Sequence, residues 1–245
     1  MLNFIQQKLI FKSTFLPDSY AFGFNTGFKE VFLKATDGSR LHGVHFKAKE
    51  AKGVILYLHG NARSLNYWGS WGEYLANTYR YDVVMMDYRG YGKSRGKRIF
   101  KSMLEDTRLF YNYCEESFGE DKITVFGRSL GGAFATYIAK QKNPDKLIVE
   151  SSFTTLKEVV KGLYTLPLDN LVTYTFQNQD NVPLITNKTY FIHGTEDRLI
   201  PYEMGEKLYQ LSGASQKELF PVEGAMHNDM QSFNDYFKAL DTILG

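Results

Sequence analysis

Apolar residues in this chain come in short runs that alternate with longer segments of helical periodicity. The runs Gly53–Leu58 and Tyr81–Asp87 are almost continuously apolar, which is typical of strands buried on both faces of a sheet. The other predicted strands of this series are Ile123–Phe126, Lys146–Ser151, Thr189–His193 and Gln216–Val222. Predicted helices lie between them, among them Tyr67–Thr78 and Tyr202–Leu211. This alternation predicts an α/β fold with a mostly parallel sheet.

Two segments depart from the alternation. Phe28–Ala35 and Leu41–Ala48 flank the turn signal Thr36–Ser39 and predict an antiparallel hairpin. Residues 153–188 are far longer than an ordinary connection and are rich in apolar side chains around Pro167, so we predict a lid of short helices there.

Length and charge restrict the range of functions. The chain has 245 residues, which favours one domain over residues 1–245, and its net charge of +2 gives no reason to expect nucleic acid as a partner. Its single cysteine, Cys114, cannot form an internal disulfide and is predicted to pack on the apolar face of a helix.

The sequence also bears on location. No run approaches the roughly 18 apolar residues of a membrane span, and the N-terminus lacks the small-residue cleavage site of a signal peptide. We therefore expect a cytoplasmic protein. Its N-terminal segment and the basic residues Arg95, Lys97, Arg98 and Lys101 leave peripheral membrane contact open, although such a charge run is more often a solvated surface.

The candidate chemistry begins at Ile123–Gly132, where a strand, a turn and a helix-like segment carry the pattern GxSxG. A sharp turn at Ser129 requires almost no side chain two residues away on either side, and Gly127 and Gly131 meet that need. Ser129 is the candidate nucleophile. The pattern alone is also compatible with a plain Gly-rich connection.

A second motif, HGNA at residues 59–62, follows the buried strand that ends at Leu58. Two backbone N–H groups beside a nucleophile can stabilise the negative charge that develops on an attacked carbonyl oxygen. Asn61 in this loop and Leu130 after Ser129 are the candidate donors. His59 is then a turn residue, with a general-base role as the weaker alternative.

The candidate acid and base lie after later strands. Asp197 follows the strand 189–193, and His227 follows the strand that ends at Val222. Glu196 and Glu150 are the alternatives to Asp197, which in isolation could also be a helix-capping residue. The order serine, aspartate, histidine, with each residue just after a strand, predicts a catalytic triad.

The chain resembles the α/β-hydrolase superfamily, in particular the Bem46-like hydrolases and the related serine aminopeptidase-like group. The resemblance rests on YLHGNA, DYRGYGKS, FGRSLGG, FIHGTEDRLIP and EGAMHND. It implies an eight-stranded, mostly parallel sheet with helices on both faces, no metal, no organic cofactor and hydrolysis of acyl bonds. Eukaryotic relatives include protein depalmitoylases, which suggests thioesters as one substrate class. Met226 departs from the small residue usual before the histidine. The family usually has an N-terminal membrane helix, which we expect to be missing or cut short here.

These features predict a serine hydrolase that cleaves acyl esters or thioesters of small or lipid-like molecules. Candidate acyl-binding residues in the lid are Leu163, Leu166 and Phe176. A peptidase acting on short N-terminal peptides is the main alternative, and a non-catalytic binding protein is the weaker one. The acyl chain, the leaving group and the oligomeric state stay open at this level.

Overall fold

The computed structural model describes residues 11–163 and 172–245. Its strands are β1 (Lys12–Ser13), β2 (Phe28–Lys34), β3 (Arg40–Phe46), β4 (Val54–Leu58), β5 (Ala62–Arg63), β6 (Asp82–Asp87), β7 (Ile123–Arg128), β8 (Lys146–Glu150), β9 (Lys188–Gly194) and β10 (Lys217–Val222). The described α-helices are α1 (Leu65–Tyr79), α2 (Phe100–Phe118), α3 (Leu130–Ala139), α4 (Leu156–Leu163), α5 (Asn178–Asn181), α6 (Tyr202–Leu211) and α7 (Asn234–Leu244). Short 3-10 helices lie at Glu120–Lys122, Val182–Leu184 and Met230–Ser232.

The chain groups into two compact units, with the boundary between Thr124 and Val125. In the first unit the strand order is β4-β6-β3-β2. Strands β4 and β6 are parallel, whereas β3 is antiparallel to both β6 and β2. The predicted hairpin is confirmed, since β2 and β3 pair from Phe28 opposite Phe46 to Lys34 opposite Arg40.

The second unit carries the order β10-β9-β8-β7, in which β7 crosses the boundary. Strand β9 is parallel to both β8 and β10. Parallel strands need crossover connections, and helices α3, α6 and α7 lie between or after these strands in the chain. Since the carboxyl ends of parallel strands point to one edge, residues that follow β8, β9 and β10 are brought toward the same side of this unit.

Helix α1 begins at Leu65, two residues before the predicted start at Tyr67. The Leu65 N–H donates to Asp87 Oδ1 at 3.1 Å, so a carboxylate from the end of β6 holds the first turn. The helix ends at Tyr79, and the left-handed backbone of the next residue, Arg80 (φ 57°), terminates it.

The apolar face predicted around Cys114 consists of Met103, Leu104, Thr107, Phe110, Tyr111 and Cys114. Helix α2 buries all of these residues except Leu104, which is half-buried. Asp106 is also buried on this helix, and its carboxylate accepts two hydrogen bonds from Arg89, at 2.5 Å from Nε and 2.8 Å from Nη2. The bidentate partner explains how a charged residue occupies this face. Cys114 is itself buried on this helix, so its predicted packing role is confirmed.

Residues 153–188 contain α4, α5 and an isolated antiparallel bridge between Thr155 and Gln177. Residues 164–171, which include Leu166 and Pro167, lie outside the described residues. The predicted lid function of this insertion stays a prediction.

Within residues 11–163 and 172–245, no helix combines the length and apolar character that crossing a bilayer requires.

We expect Cys114 to resist thiol reagents in the folded protein. Its side chain is 1% exposed, and burial raises the pKa of the thiol well above its ordinary value, so little thiolate is available. Ellman's reagent at pH 8 should label Cys114 slowly in buffer. In about 6–8 M urea, where the protein is unfolded, labelling should take seconds. Rapid labelling of the native protein would contradict the described packing of α2.

Candidate active site

Ser129 sits at the turn between β7 and α3 in a strained conformation. Its φ of 53° and ψ of −116° place a non-glycine residue in the positive-φ half of the Ramachandran map, which side chains disfavour. Such a conformation costs about 1–3 kcal/mol and persists only where the surroundings fix it. Here the Ser129 N–H donates to Glu150 O at 2.8 Å, and the Ser152 hydroxyl donates to Ser129 O at 2.8 Å. Both partners lie at or just beyond the end of β8.

The elbow closes because Gly127 has no side chain. A Cβ on Gly127 would lie 2.4 Å from the carbonyl oxygen of Gly131 and 2.6 Å from Cβ of Ala135. The turn thus brings the start of α3 directly over the strand that precedes it. Gly132 meets a similar limit, since its Cβ would lie 2.4 Å from the Ser152 hydroxyl.

A chain of hydrogen bonds links the three residues that the sequence singles out. His227 Nε2 lies 3.2 Å from Ser129 Oγ, and His227 Nδ1 lies 2.7 Å from Asp197 Oδ2. With the ring proton on Nδ1 and donated to the carboxylate, Nε2 is left to accept the serine proton. All three side chains belong to the second unit and are largely buried.

Asp197 is held by more than its histidine partner. Oδ1 accepts the backbone N–H groups of Leu199 and Ile200, each at 2.9 Å, and His193 Nε2 lies 3.5 Å from Oδ2. Burial alone would raise the pKa of Asp197. The hydrogen bonds from His193 and His227 together have a larger effect in the opposite direction, so the net pKa is well below the ordinary 3.8. Asp197 is therefore a stable anion at neutral pH. A carboxylate with a lowered pKa stabilises the fold above pH 3.8 and loses that contribution as the pH falls below it.

The alternative acids have other partners. Glu150 accepts from Arg128 Nε at 2.8 Å through Oε1 and from the Tyr236 hydroxyl at 2.9 Å through Oε2. Glu196 is exposed. The structure thus brings Asp197, and neither glutamate, to the histidine.

Arg128 has a role that the sequence did not reveal. Besides Glu150, it donates through Nη2 to the carbonyl oxygen of His227 at 2.6 Å. The residue before the candidate nucleophile therefore holds the loop that carries the candidate base. The sequence does place a charged residue inside a buried strand-to-turn motif, which indicates that Arg128 has a buried partner. The partners could not be identified from the sequence, because they lie far along the chain.

The HGNA loop lies in the first unit. The Tyr91 hydroxyl donates to Asn61 O at 2.6 Å, and the Tyr88 hydroxyl donates to His59 O at 2.7 Å. His59 Nδ1 lies 2.6 Å from Gly60 O, so its ring takes part in the turn of this loop. Leu130, the other candidate donor, is the first residue of α3, where a backbone N–H has no partner inside the helix. The oxyanion-binding role of Asn61 and Leu130 stays a prediction.

The candidate lid residues differ in exposure. Leu163 is 47% exposed at the end of α4, whereas Phe176 is buried and packs edge-on against Phe134 of α3 at 5.1 Å between ring centroids. Leu166 lies outside the described residues.

A cavity of about 320 Å³ opens beside the candidate base. Its lining combines apolar, cationic and polar side chains: Arg198, Leu199, Met226, His227, Asn228 and Asp229. Leu199 and Met226 expose 38% and 49% of their surface, so apolar area is accessible next to His227.

In the described portion of the chain, His, Cys, Asp and Glu side chains form no group of three that could hold a metal ion.

Comparison with known proteins gives the family and several relatives. A family model described as serine aminopeptidase, S33, matches residues 49–174. The lysophosphatidylserine lipase ABHD12 of Danio rerio is 30% identical over 187 residues, which cover 66% of this chain and 48% of that protein. Protein bem46 of Schizosaccharomyces pombe is 25% identical over 233 residues, which cover 90% of this chain and 78% of that protein. The chain spans about half the length of the lipases that it matches.

Solved structures extend the likeness to the fold. The Pyrococcus furiosus esterase Pf2001 aligns with a TM-score of 0.76 at 20% identity, over 96% of this chain and 100% of that chain. The alpha/beta hydrolase GrgF from Penicillium sp. sh18 aligns with a TM-score of 0.71 at 16% identity, over 89% of this chain and 96% of that chain. The predicted α/β-hydrolase fold, with its mostly parallel sheet and helices, is confirmed.

We expect the Arg128–Glu150 pair to behave as one stabilising unit. Arg128→Met should lower the free energy of unfolding by about 3 kcal/mol, because it leaves the Glu150 carboxylate buried without its cation. The double variant Arg128→Met/Glu150→Gln should lose at least about 1 kcal/mol less than the sum of the single losses. Urea unfolding of the four proteins measures this coupling. Additive losses would show that the two side chains act independently.

Proposed function

The chain belongs to the serine aminopeptidase S33 family of α/β-hydrolases, and we propose that it is a serine hydrolase that cleaves acyl esters or thioesters through Ser129, His227 and Asp197. The observation that carries this proposal is the hydrogen-bond chain from Ser129 Oγ through the imidazole of His227 to Asp197. It supplies a nucleophile, a base within reach of its proton, and a carboxylate that orients the base.

The first half of the proposed reaction forms an acyl-enzyme. Ser129 Oγ attacks the acyl carbon while its proton passes to His227 Nε2, 3.2 Å away. The carbonyl oxygen then carries a negative charge, which the N–H groups of Leu130 and Asn61 stabilise in this proposal. The tetrahedral intermediate collapses, the bond to the leaving alcohol or thiol breaks, and His227 returns the proton to it.

The second half uses water in place of the serine. His227 removes a proton from water as its oxygen attacks the acyl-serine, and collapse releases the acid and restores the Ser129 hydroxyl. In both halves His227 becomes positively charged. The Asp197 carboxylate, 2.7 Å from Nδ1, stabilises that charge and keeps the ring in the required tautomer.

The substrate proposal rests on the character of the cavity and on the relatives. Leu199 and Met226 expose apolar surface beside His227. ABHD12 is named as a lysophosphatidylserine lipase, and the fold relative Pf2001 is named as an esterase. We therefore propose an acyl ester or thioester with an apolar acyl group, and Leu163, Leu166 and Phe176 remain candidate contacts for it.

The family description favours aminopeptidase activity as the second candidate. A peptidase needs carboxylates that bind the free amine of its substrate. The acidic residues of the predicted lid that could bind this amine are Glu158, Asp169 and Asp180. Glu158 accepts a hydrogen bond from the Thr154 hydroxyl, Asp180 is exposed, and Asp169 lies outside the described residues. Esters and thioesters have better leaving groups than amides, so a triad without dedicated amine recognition cleaves them first.

We expect a fluorophosphonate probe to label the protein at Ser129. Ser129→Ala should lose both labelling and hydrolysis while its thermal unfolding stays unchanged, because a single hydroxyl is removed. Asp197→Asn should lower kcat by about 10⁴, since its amide holds the imidazole in the wrong tautomer. Peptide mapping of the label and p-nitrophenyl butyrate turnover measure these effects. Full activity of Ser129→Ala would remove Ser129 from the mechanism.

Acyl length should control the rate. Each buried methylene contributes up to about 0.8 kcal/mol, so two or three added carbons should raise kcat/KM roughly tenfold until the pocket is full. A series of p-nitrophenyl esters and acyl thioesters, with aminoacyl amides beside them, measures the profile. Leu199→Ser should flatten it.

Leu211 is the matched control, because it is 41% exposed against 38% for Leu199 but does not line the cavity. Leu211→Ser should leave the profile unchanged. A profile that does not respond to Leu199→Ser would remove the acyl-binding role of this wall, and faster cleavage of aminoacyl amides would favour the peptidase.

A further inference from the structure

The cavity beside His227 contains one cationic side chain, Arg198. Its exposed side chain follows directly after Asp197 in the loop that leaves β9. Within the described residues its guanidinium takes part in no ion pair or hydrogen bond. Several other arginines of the chain have carboxylate partners, for example Arg89 with Asp106 and Arg128 with Glu150. A ligand can therefore bind the guanidinium N–H donors of Arg198 without breaking an internal ion pair.

The position of Arg198 is tied to the candidate triad. The Asp197 carboxylate binds His227 through one oxygen, and its other oxygen accepts the N–H groups of Leu199 and Ile200. The backbone on both sides of Arg198 is thus fixed by the same group that orients the base. This arrangement holds the origin of the arginine side chain at a constant place relative to the imidazole.

The other charged residue of the lining, Asp229, has a different hydrogen-bond partner. Asp229 uses Oδ1 to accept the Met226 N–H at 2.7 Å, which turns this carboxylate toward the backbone of its own loop. No ion pair joins Asp229 to Arg198 in the described parts of the chain. The cavity therefore combines apolar walls from Leu199 and Met226 with a guanidinium that is available for binding.

We propose that Arg198 binds an anionic group of the substrate, so that the preferred substrates are amphiphilic esters or thioesters that carry a carboxylate or a phosphate near the scissile bond. This inference rests on the proposed function and specifies its substrate class. A guanidinium matches carboxylate and phosphate oxygens through paired N–H donors. Because Arg198 is exposed, the interaction is partly screened, and its effect is moderate and decreases with salt.

Two matched substrate pairs test the inference. In the first pair the anion is on the acyl side: the p-nitrophenyl hemiester of glutarate against p-nitrophenyl pentanoate. In the second pair it is on the leaving-group side: 1-acylglycerol 3-phosphate against 1-acylglycerol with the same acyl chain. The measured quantity is the ratio of kcat/KM for the anionic ester to that for the neutral ester, at low and high ionic strength.

In the Arg198→Gln variant we expect this ratio to fall about tenfold at low salt for at least one pair, mainly through a higher KM. Arg198→Lys should retain part of the preference, and Arg198→Glu should reverse it. Lys207→Gln is the control, because it removes the same charge from an exposed residue of α6 that does not line the cavity. It should leave the ratio unchanged.

The outcomes separate this inference from the proposed function. Hydrolysis of the neutral esters with ratios that are the same in the wild type and in Arg198→Gln overturns the role of Arg198 and keeps the serine hydrolase. An equal loss for both members of each pair also overturns it, because a charge-selective contact must distinguish them. No hydrolysis of any of the four esters by the wild type overturns both proposals.

Discussion

The second unit depends on a buried carboxylate that keeps its charge. Taking Asp197 out of water opposes ionisation, yet four groups compensate for the lost solvent: two backbone N–H groups and two imidazoles. Three of these contacts also fix another part of the site. The N–H groups set the loop 198–200, and the bond to His227 sets the ring orientation. One electrostatic requirement thus shapes the cavity wall, the base and the position of Arg198 together.

The strain at Ser129 depends on packing of a different kind. A positive φ is tolerated because the N–H and the carbonyl oxygen of this residue are both bonded to groups at the end of β8. Gly127 and Gly132 allow the helix to approach closely enough for these bonds. The elbow therefore needs two glycines and a neighbouring strand, and the serine contributes only its hydroxyl to the chemistry.

The sequence predicted the parts of this molecule that have local signals. Apolar runs marked the strands, and GxSxG, Asp197 and His227 could be placed because each follows a strand. The partners of Arg128 had no local signal, because Arg128 and His227 are 99 residues apart and meet only in the fold. The contact of His193 with Asp197 was also missed, although these two residues are only four positions apart. The burial of Phe176 against Phe134 was missed because these two residues are also distant in sequence. The early start of α1 depends on Asp87, which is also distant in sequence.

Two carboxylates at the ends of neighbouring parallel strands could have served His227, and their other partners decide between them. Strands β8 and β9 are in register, with Glu150 opposite Ile192, so Glu150 and Asp197 both lie toward the same edge. Arg128 neutralises Glu150 and at the same time binds the carbonyl oxygen of His227, so this pair holds the loop without competing for the imidazole. Asp197 has no guanidinium partner in the described residues, and its negative charge is left to act on the ring. The two carboxylates thus have different proposed roles because their partners differ. Glu150, paired with a cation, helps to hold the loop, and Asp197, in contact with imidazoles, stabilises the charged base.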